Sequence, residues 1–478
     1  MSTLSELFPA GGGDNSIEIN ASGTLSNGDI LVMKSDGTTE VTAGSGAAGS
    51  FPDGATIPVV SSSVYYPVSA INPHNASQVI FVWTVWATNV RAVLGTISGT
   101  TITFGSTDNF YAGTGYYLSV AWDGVTSNTG VITYNYASGN SYGVCHPFTI
   151  NSGSVVSPGS AYTTGVYSIY LNCVADKNAA GKFLFAYAAG GNTVMRVITV
   201  SGGAASAGSP YTHSPGYHAE GNAMSQDASS GAFYIAYPYS GVYMRRVTRS
   251  GTTLSLSSPT QVTPNIQRVE RQALAASALV SNSVLLGYMI IGWKSVVVAS
   301  TWNGSSFTTG SQVILKSPSY YCAVAADPHN TGTFGALYYP NHYRKITVAG
   351  TTITLEGSQE DILSSGENFS ISYNPTTANK LFFSARTGSG FEAEFAQEST
   401  LSTNLTEETL LGVAKTSATN GNTLEVDTLG GIAEGFSGLA IGSVYYASST
   451  GGITTTSGAP NVKLGKAITS TSINLRNL

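Results

Sequence analysis

A unit of about fifty residues returns through most of this 478-residue chain, and few folds accept such a unit. Its plainest copy opens with Ser319-Tyr320-Tyr321-Cys322-Ala323-Val324-Ala325-Ala326 and turns from Asp327 through Pro328-His329-Asn330 to Gly332. An apolar run from Phe334 to Tyr339 follows, then Arg344-Lys345-Ile346-Thr347-Val348, an Ala349-Gly350 turn, and Thr351 to Leu355. Apolar residues alternate with a period nearer two than 3.6, so the unit reads as four short strands joined by three turns.

The copies align on two turns. The first carries an Asx residue at Asn72, Asp123, Asp176, Asp227, Asp327 and Asn374, where a side-chain oxygen caps the backbone two residues on. The second carries glycine at Gly99, Gly153, Gly202, Gly251, Gly304 and Gly350. Copies start near Tyr65, Tyr116, Tyr167, Tyr217, Arg268, Tyr320 and Asn368, spaced by about 46 to 54 residues, the range of propeller blades. The seventh has only three strands, Phe369 to Tyr373, Leu381 to Ala385 and Phe391 to Ala396. Its missing fourth stands ahead of the first copy, where Asp53-Gly54-Ala55-Thr56-Ile57-Pro58-Val59 matches Ala349 to Leu355. The expected fold is an all-β, seven-bladed propeller whose last blade is closed by an N-terminal strand.

The tail repeats the head. The run from Gly28 to Gly37 resembles that from Gly442 to Gly451, and Leu411 to Ser417 resembles Leu464 to Ser470. The two halves are nearly contiguous in the C-terminal copy, whereas the propeller separates them in the N-terminal one. This implies a small β-domain built from residues 1–50 and 404–478, with the propeller of residues 51–403 inserted in one loop.

Composition narrows the function classes. Only 10% of residues are charged and the net charge is −6, which gives no reason to expect nucleic acid. Cys145, Cys173 and Cys322 are too few for a disulfide framework and read as free thilos of a protein folded in a reducing compartment. No basic and apolar leader opens the chain, and the most apolar run, Leu285 to Trp293, is too short to span a bilayer, so neither secretion nor membrane insertion is expected. Zinc spacing, phosphate loops, nucleotide fingerprints and Gly-x-Ser-x-Gly elements are missing, so neither metal nor cofactor is expected.

Candidate sites are those that break the repeat. Loops entering the innermost strands share a face with those joining second to third strands, and both sets are aromatic. Tyr66, Trp86, Tyr117, Tyr136, Tyr237, Tyr239, Trp293, Tyr339, His342 and Tyr343 form the candidate ligand-binding face. Flat amphipathic rings suit sugar rings or a protein surface, and equally suit wedges between blades. Arg245, Arg246, Arg249, Arg268 and Arg271 are a candidate contact for an anionic glycan or acidic subunit, with a solvated strand face as the other reading. Arg196, Arg245 and Arg344 share one register and suggest packing, and His74 and His329 sit in equivalent turns that suggest turn chemistry. For glycosidase work, Glu220 and Asp227 have no matching set of converging carboxylates.

Met1-Ser-Thr-Leu-Ser-Glu-Leu-Phe-Pro-Ala-Gly-Gly-Gly13, Ala21 to Gly28, Gly438 to Tyr446 and Leu464-Gly-Lys-Ala-Ile resemble the terminal segments of tailed-phage virion proteins, of the tail-fibre and head-decoration kind. That resemblance covers about 125 residues at the two ends. It implies a non-enzymatic fibre or capsid-decoration subunit, made in the host cytoplasm and released by lysis. The terminal domain would bind other virion proteins, the propeller would meet host-surface glycan or protein, and the subunit would be a homo-oligomer, trimers being common among such proteins. Alternatives are a polysaccharide depolymerase working on the propeller face and a purely architectural subunit.

Overall fold

The computed structural model describes residues 15–42, 44–45, 56–61, 64–85, 88–99, 101–136, 141–151, 155–213, 221–227, 229–264, 269, 272–363, 366–388, 390–397, 402–448, 452–455 and 462–475. Strands and turns make up all the regular structure among them. The chain divides into two compact units, residues 1–48 with 399–478, and residues 49–398.

The second unit is a β-propeller. Seven antiparallel sheets follow one another, and their innermost strands are Val64–Asn72, Gly115–Trp122, Ile169–Ala175, Ala223–Gln226, Leu274–Ala276, Cys322–Ala326 and Glu367–Tyr373. Each packs against the next, and the last packs against the first. Seven apolar clusters fill the wedges, each drawn from two neighbouring sheets. This explains why second strands such as Lys182–Ala189 and Phe233–Pro238 read as continuous apolar runs: both of their faces are covered, so neither needs polar residues.

The seventh sheet, blade 7, takes its outer strand from ahead of blade 1. Ile57–Val60 pairs antiparallel with Gly390–Gln397, setting Ile57 opposite Ala393, Pro58 opposite Glu392 and Val60 opposite Phe391. Proline is tolerated there because the edge strand has one side without a ladder partner. The seam with blade 1 is packed by Phe81, Phe104, Phe382, Phe391 and Phe395, with ring centroids 4.9 to 5.8 Å apart. Residues 53–55 of the expected closing strand lie outside the described residues.

Outer strands depart from the sequence reading. In blades 2 to 5 the fourth strand is in two pieces that both pair with the third, as Val155–Pro158 and Tyr162–Tyr167 do with Tyr142–Asn151. In blades 2, 3 and 5 glycine marks the break because the following blade's second turn presses on it, whereas blade 4 has Ser257-Ser258-Pro259 there. A Cβ on Gly159 would sit 2.0 Å from the Gly203 carbonyl oxygen, and one on Gly310 2.0 Å from that of Thr351.

The first-turn Asx residues are buried and do double duty. The backbone N–H groups of Asn178, Ser229 and His329 donate to Asp176, Asp227 and Asp327 two residues before, at 2.8 to 3.0 Å. Other contacts cross between blades. Asn282 N–H donates to Asp227 Oδ2 at 2.7 Å, Gln226 Nε2 donates to Asp176 Oδ1 at 2.9 Å, and Arg249 grips Asp176 Oδ2 through Nε at 2.7 Å. His74 and His329 each donate through Nε2 to the carbonyl oxygen of the next blade's Asx residue, Asp123 and Asn374, at 3.0 Å. These histidines stitch blades together.

In the first unit, two five-stranded sheets share one strand order. The N-sheet runs Ser16–Asn20, Thr423–Thr428, Leu410–Ala414, Ile30–Met33, Thr39–Val41, and so draws on both ends of the chain. The C-sheet runs Ile432–Ala433, Ile473–Asn474, Lys463–Ala467, Val444–Ala447, Ile453–Thr454. The likeness of head and tail is therefore a duplicated sheet. Even the ladder irregularity repeats, at Gly412 and Gly465, where a Cβ would meet the carbonyl oxygens of Asp427 and Asn474 at 2.0 and 2.1 Å. Gly44–Ser45 pairs with Ser402–Thr403, which brings together the two ends of the interrupted loop.

Burial alone would raise the Asp227 carboxyl, but donors from Ser229, Asn282 and Ser230 pull it down to about 2. A depressed folded-state value contributes stability above the unfolded value of roughly 3.9, and that contribution is lost as pH falls through about 2. Asp227→Asn should cost about 1–3 kcal/mol at neutral pH in denaturant unfolding. The gap from wild type should narrow as the pH is taken from 4 towards 2.

Candidate ligand-contact face

Four innermost strands carry a left-handed residue at one equivalent position: Tyr66 (φ 50°), Tyr117 (φ 55°), Tyr170 (φ 54°) and Asn368 (φ 53°). Each falls where the ladder with the second strand slips. These four strands belong to blades 1, 2, 3 and 7, consecutive around the closed ring. The conformation costs roughly 1–2 kcal/mol at a residue with a Cβ, so four in a row are held by their surroundings. The bulges bring the tyrosines together. Tyr66 lies 5.7 Å from Tyr117 and 5.6 Å from Tyr116, and Tyr117 lies 4.8 Å from Tyr170.

The aromatic series continues round the same end of the ring. Arg386 lies over the Tyr65 ring at 4.8 Å and pairs with Glu367, whose other oxygen accepts a hydrogen bond from Tyr321 Oη at 3.1 Å. Tyr320 contacts Tyr339 at 5.0 Å and Trp293 at 4.8 Å. Trp293 is 45% exposed and itself left-handed (φ 58°), in a turn where glycine or asparagine would sit without strain. The belt thus runs from blade 5 through 6, 7, 1 and 2 to 3.

On the ring axis the belt borders a cleft lined by Pro67, Leu118, Ser119, Gln272, Tyr321 and Asn368. Its enclosed space is about 30 Å³, room for roughly two or three waters. A sugar-sized ligand is too large for that space and would lie across the mouth against the ring faces. Among the described residues no three His, Cys, Asp or Glu side chains are grouped to hold a metal ion.

The candidate aromatics divide by burial. Tyr66, Tyr117, Trp293 and Tyr339 belong to the belt. Tyr136 is half-buried beside Tyr111 and Tyr142, at 5.4 and 5.7 Å, and Tyr239 is 41% exposed beside Tyr243. Three others are packing residues. Tyr343 is buried in the wedge between blades 6 and 7. Tyr237 is buried between blades 3 and 4, with Oη 2.9 Å from His213 Nε2. His342 is buried, with Nδ1 2.5 Å from Asp361 Oδ1. Trp86 and Tyr217 lie outside the described residues. In blade 3 the residue equivalent to Tyr66 is Tyr170, three residues past the expected Tyr167. Glu367 and Arg386 escaped the sequence reading; they are cross-strand partners in blade 7.

The three described arginines of the cluster are committed internally. Arg249 holds Asp176, Arg246 lies over the Trp302 ring at 5.7 Å, and Arg245 Nε donates to Tyr237 Oη at 3.2 Å. Arg196 makes the same bond to Tyr187 Oη at 3.2 Å, so in blades 3 and 4 the shared register is a packing device, whereas Arg344 Nε is buried without a hydrogen-bond partner among the described residues. Arg268, Arg271 and Glu220 lie outside the described residues. Cys145, Cys173 and Cys322 are free and buried, and burial pushes the Cys173 thiol up to about 12.

The sequence matches no family model and no curated protein. Solved structures similar to this chain are propellers and other proteins at low identity. The Cps50 (Swd1) β-propeller domain of Myceliophteria thermophila is 9% identical, with 73% of this chain and 100% of that one covered and a TM-score of 0.48. Sqt1 of Saccharomyces cerevisiae is 10% identical over 72% and 98% of the two chains, with a TM-score of 0.47. The periplasmic gluconolactonase PpgL of Pseudomonas aeruginosa is 11% identical over 68% and 99%, with a TM-score of 0.46.

If the tyrosine arc is a coupled unit, Tyr117→Leu and Tyr170→Leu should be non-additive in denaturant unfolding. A coupling of about 0.5–1.5 kcal/mol is expected.

Proposed function

We propose that this chain is a non-enzymatic structural subunit of a tailed-phage particle, anchored by its split β-domain and contacting host-surface glycan across the mouth of its propeller. The terminal motifs support the virion part of this reading. The observation that carries the glycan part is the belt of tyrosine and tryptophan rings interrupted by the Glu367–Arg386 pair. Ring faces stack on the apolar faces of sugars, while a carboxylate beside a guanidinium offers acceptors and donors to neighbouring hydroxyls.

Charge favours a neutral glycan over an anionic one. Lys and Arg balance Asp and Glu within residues 49–398, so the whole net charge of −6 belongs to the other unit. The propeller has no net field to draw in a polyanion, and Arg245, Arg246 and Arg249 already have partners inside the fold. Strain retained at four consecutive mouth positions also fits a contact function better than a stability one.

Binding of the full chain to a panel of bacterial surface polysaccharides and to whole cells tests the reading. Saturable binding is expected, weakened about tenfold by Trp293→Ala, which removes a stacking contact of about 1.4 kcal/mol. Absence of binding to every polysaccharide and cell type would sink it. Release of new reducing ends would favour the depolymerase instead.

A further inference from the structure

We propose that the axial cleft is a subsite for an acetamido group, so that the glycan met by the mouth carries an N-acetylated amino sugar. This rests on the glycan reading of the mouth and adds the substituent that the axis selects. Carbon surface and carboxamides share the cleft: Pro67, Leu118 and Phe369 supply the first, Gln272 and Asn368 the second. No charged side chain is among the described residues that line it. An uncharged group therefore suits it better than a carboxylate or a phosphate, which would be desolvated there without a counter-charge.

The fold leaves both carboxamides with capacity to spare. Gln272 is fixed between blades 5, 6 and 7, since its carbonyl oxygen accepts from Val324 N–H at 2.8 Å and its Oε1 accepts from Ile371 N–H at 3.3 Å. The second bond assigns the other amide atom as Nε2, a donor with no acceptor among the described residues. Asn368 is held where the ladder slips between Glu367 and Ser370, and its carboxamide has no partner among the described residues either. The Ser119 hydroxyl differs, because it already donates to Asn172 Oδ1 at 3.1 Å. Asn368 also occupies the left-handed position that tyrosine holds in blades 1, 2 and 3. A tyrosine there would set a ring where the carboxamide now lines open space.

An acetamido group matches this lining in size and in chemistry. Its methyl and carbonyl take about the room of the two or three waters that the cleft holds. The methyl meets the carbon surface, the carbonyl oxygen accepts from Gln272 Nε2, and the N–H donates to Asn368 Oδ1. A hydroxyl on the same sugar carbon would leave that surface and both carboxamides to water. The pyranose stays outside on the rim, where Tyr66 and Tyr117 directly precede Pro67 and Leu118 and Tyr321 joins the lining. Its remaining hydroxyls then lie near the Glu367–Arg386 pair, next in the chain to Asn368.

Saturation-transfer NMR titration of the full chain tests this, with N-acetylglucosamine, N-acetylgalactosamine and N-acetylmannosamine set beside glucose, galactose and mannose. At least one N-acetylhexosamine is expected to bind tenfold or more tightly than its parent hexose, with the strongest saturation at its acetyl methyl protons. Asn368→Tyr, which installs the residue that three other blades carry in this conformation, should erase that preference and leave hexose binding unchanged. Should it misfold, Asn368→Gly, which suits φ 53° and removes only the carboxamide, should narrow the preference at least threefold. Equal binding of acetylated and parent sugars, or a preference that both variants retain, would overturn the subsite. So would a 2-O-acetyl hexose, which lacks the N–H, bound as tightly as the amide, or no binding of any of the six sugars. The polysaccharide and whole-cell panel uses none of these comparisons, so the glycan reading stands or falls there separately.

Discussion

The pairing of Ile57–Val60 with Gly390–Gln397 is the interaction on which the propeller depends. Without it the array would end in a three-stranded sheet with an open edge, and the phenylalanine seam would lose Ile57, Val59 and Val60 from its flank. With it, every sheet has two neighbours and every wedge is filled. The cost is topological: the first strand must wait until the last sheet is made. Its benefit is that chain entry and chain exit share one sheet, the condition under which a loop insertion leaves its host undisturbed.

A closed ring over-determines local geometry, and the molecule uses that in two ways. At one set of turns, buried Asx side chains satisfy their own backbone and reach the next blade, so caps and stitches are the same atoms. At the mouth, bulges hold three tyrosines and one asparagine in a conformation they would leave in a free strand. Strain of this size is a sizeable fraction of an ordinary domain's stability of about 5–15 kcal/mol, so the seven packed wedges have to offset it.

Repeat number, closing strand, Asx turns and the head-to-tail duplication were all legible because each leaves a periodic trace in residue type. The contact face was only half legible. Tyr66 and Tyr117 stood out as aromatic pairs, but the bulge in the third innermost strand shifts register, which hid Tyr170 behind the exposed Tyr167. Tyr237, His342 and Tyr343 matched the pattern of loop aromatics yet fill wedges, because residues at the ends of second strands and the starts of third strands are covered by the adjoining blade. Glu367 and Arg386 left no motif; only cross-strand pairing brings them together. The broken outer strands of blades 2, 3 and 5 were missed since the glycines responsible respond to a neighbouring blade, about forty residues away in sequence.

Amide hydrogen exchange across the closing strand is the most direct measurement of ring closure. If the strand is the latch of the ring, the amides of Ile57, Val59 and Val60 should exchange together with those of Phe391 and Ala393, and only as the propeller unfolds as a whole. Exchange of Ile57–Val60 at the rate of free chain, while the seven inner strands stay protected, would contradict closure and the fold built on it.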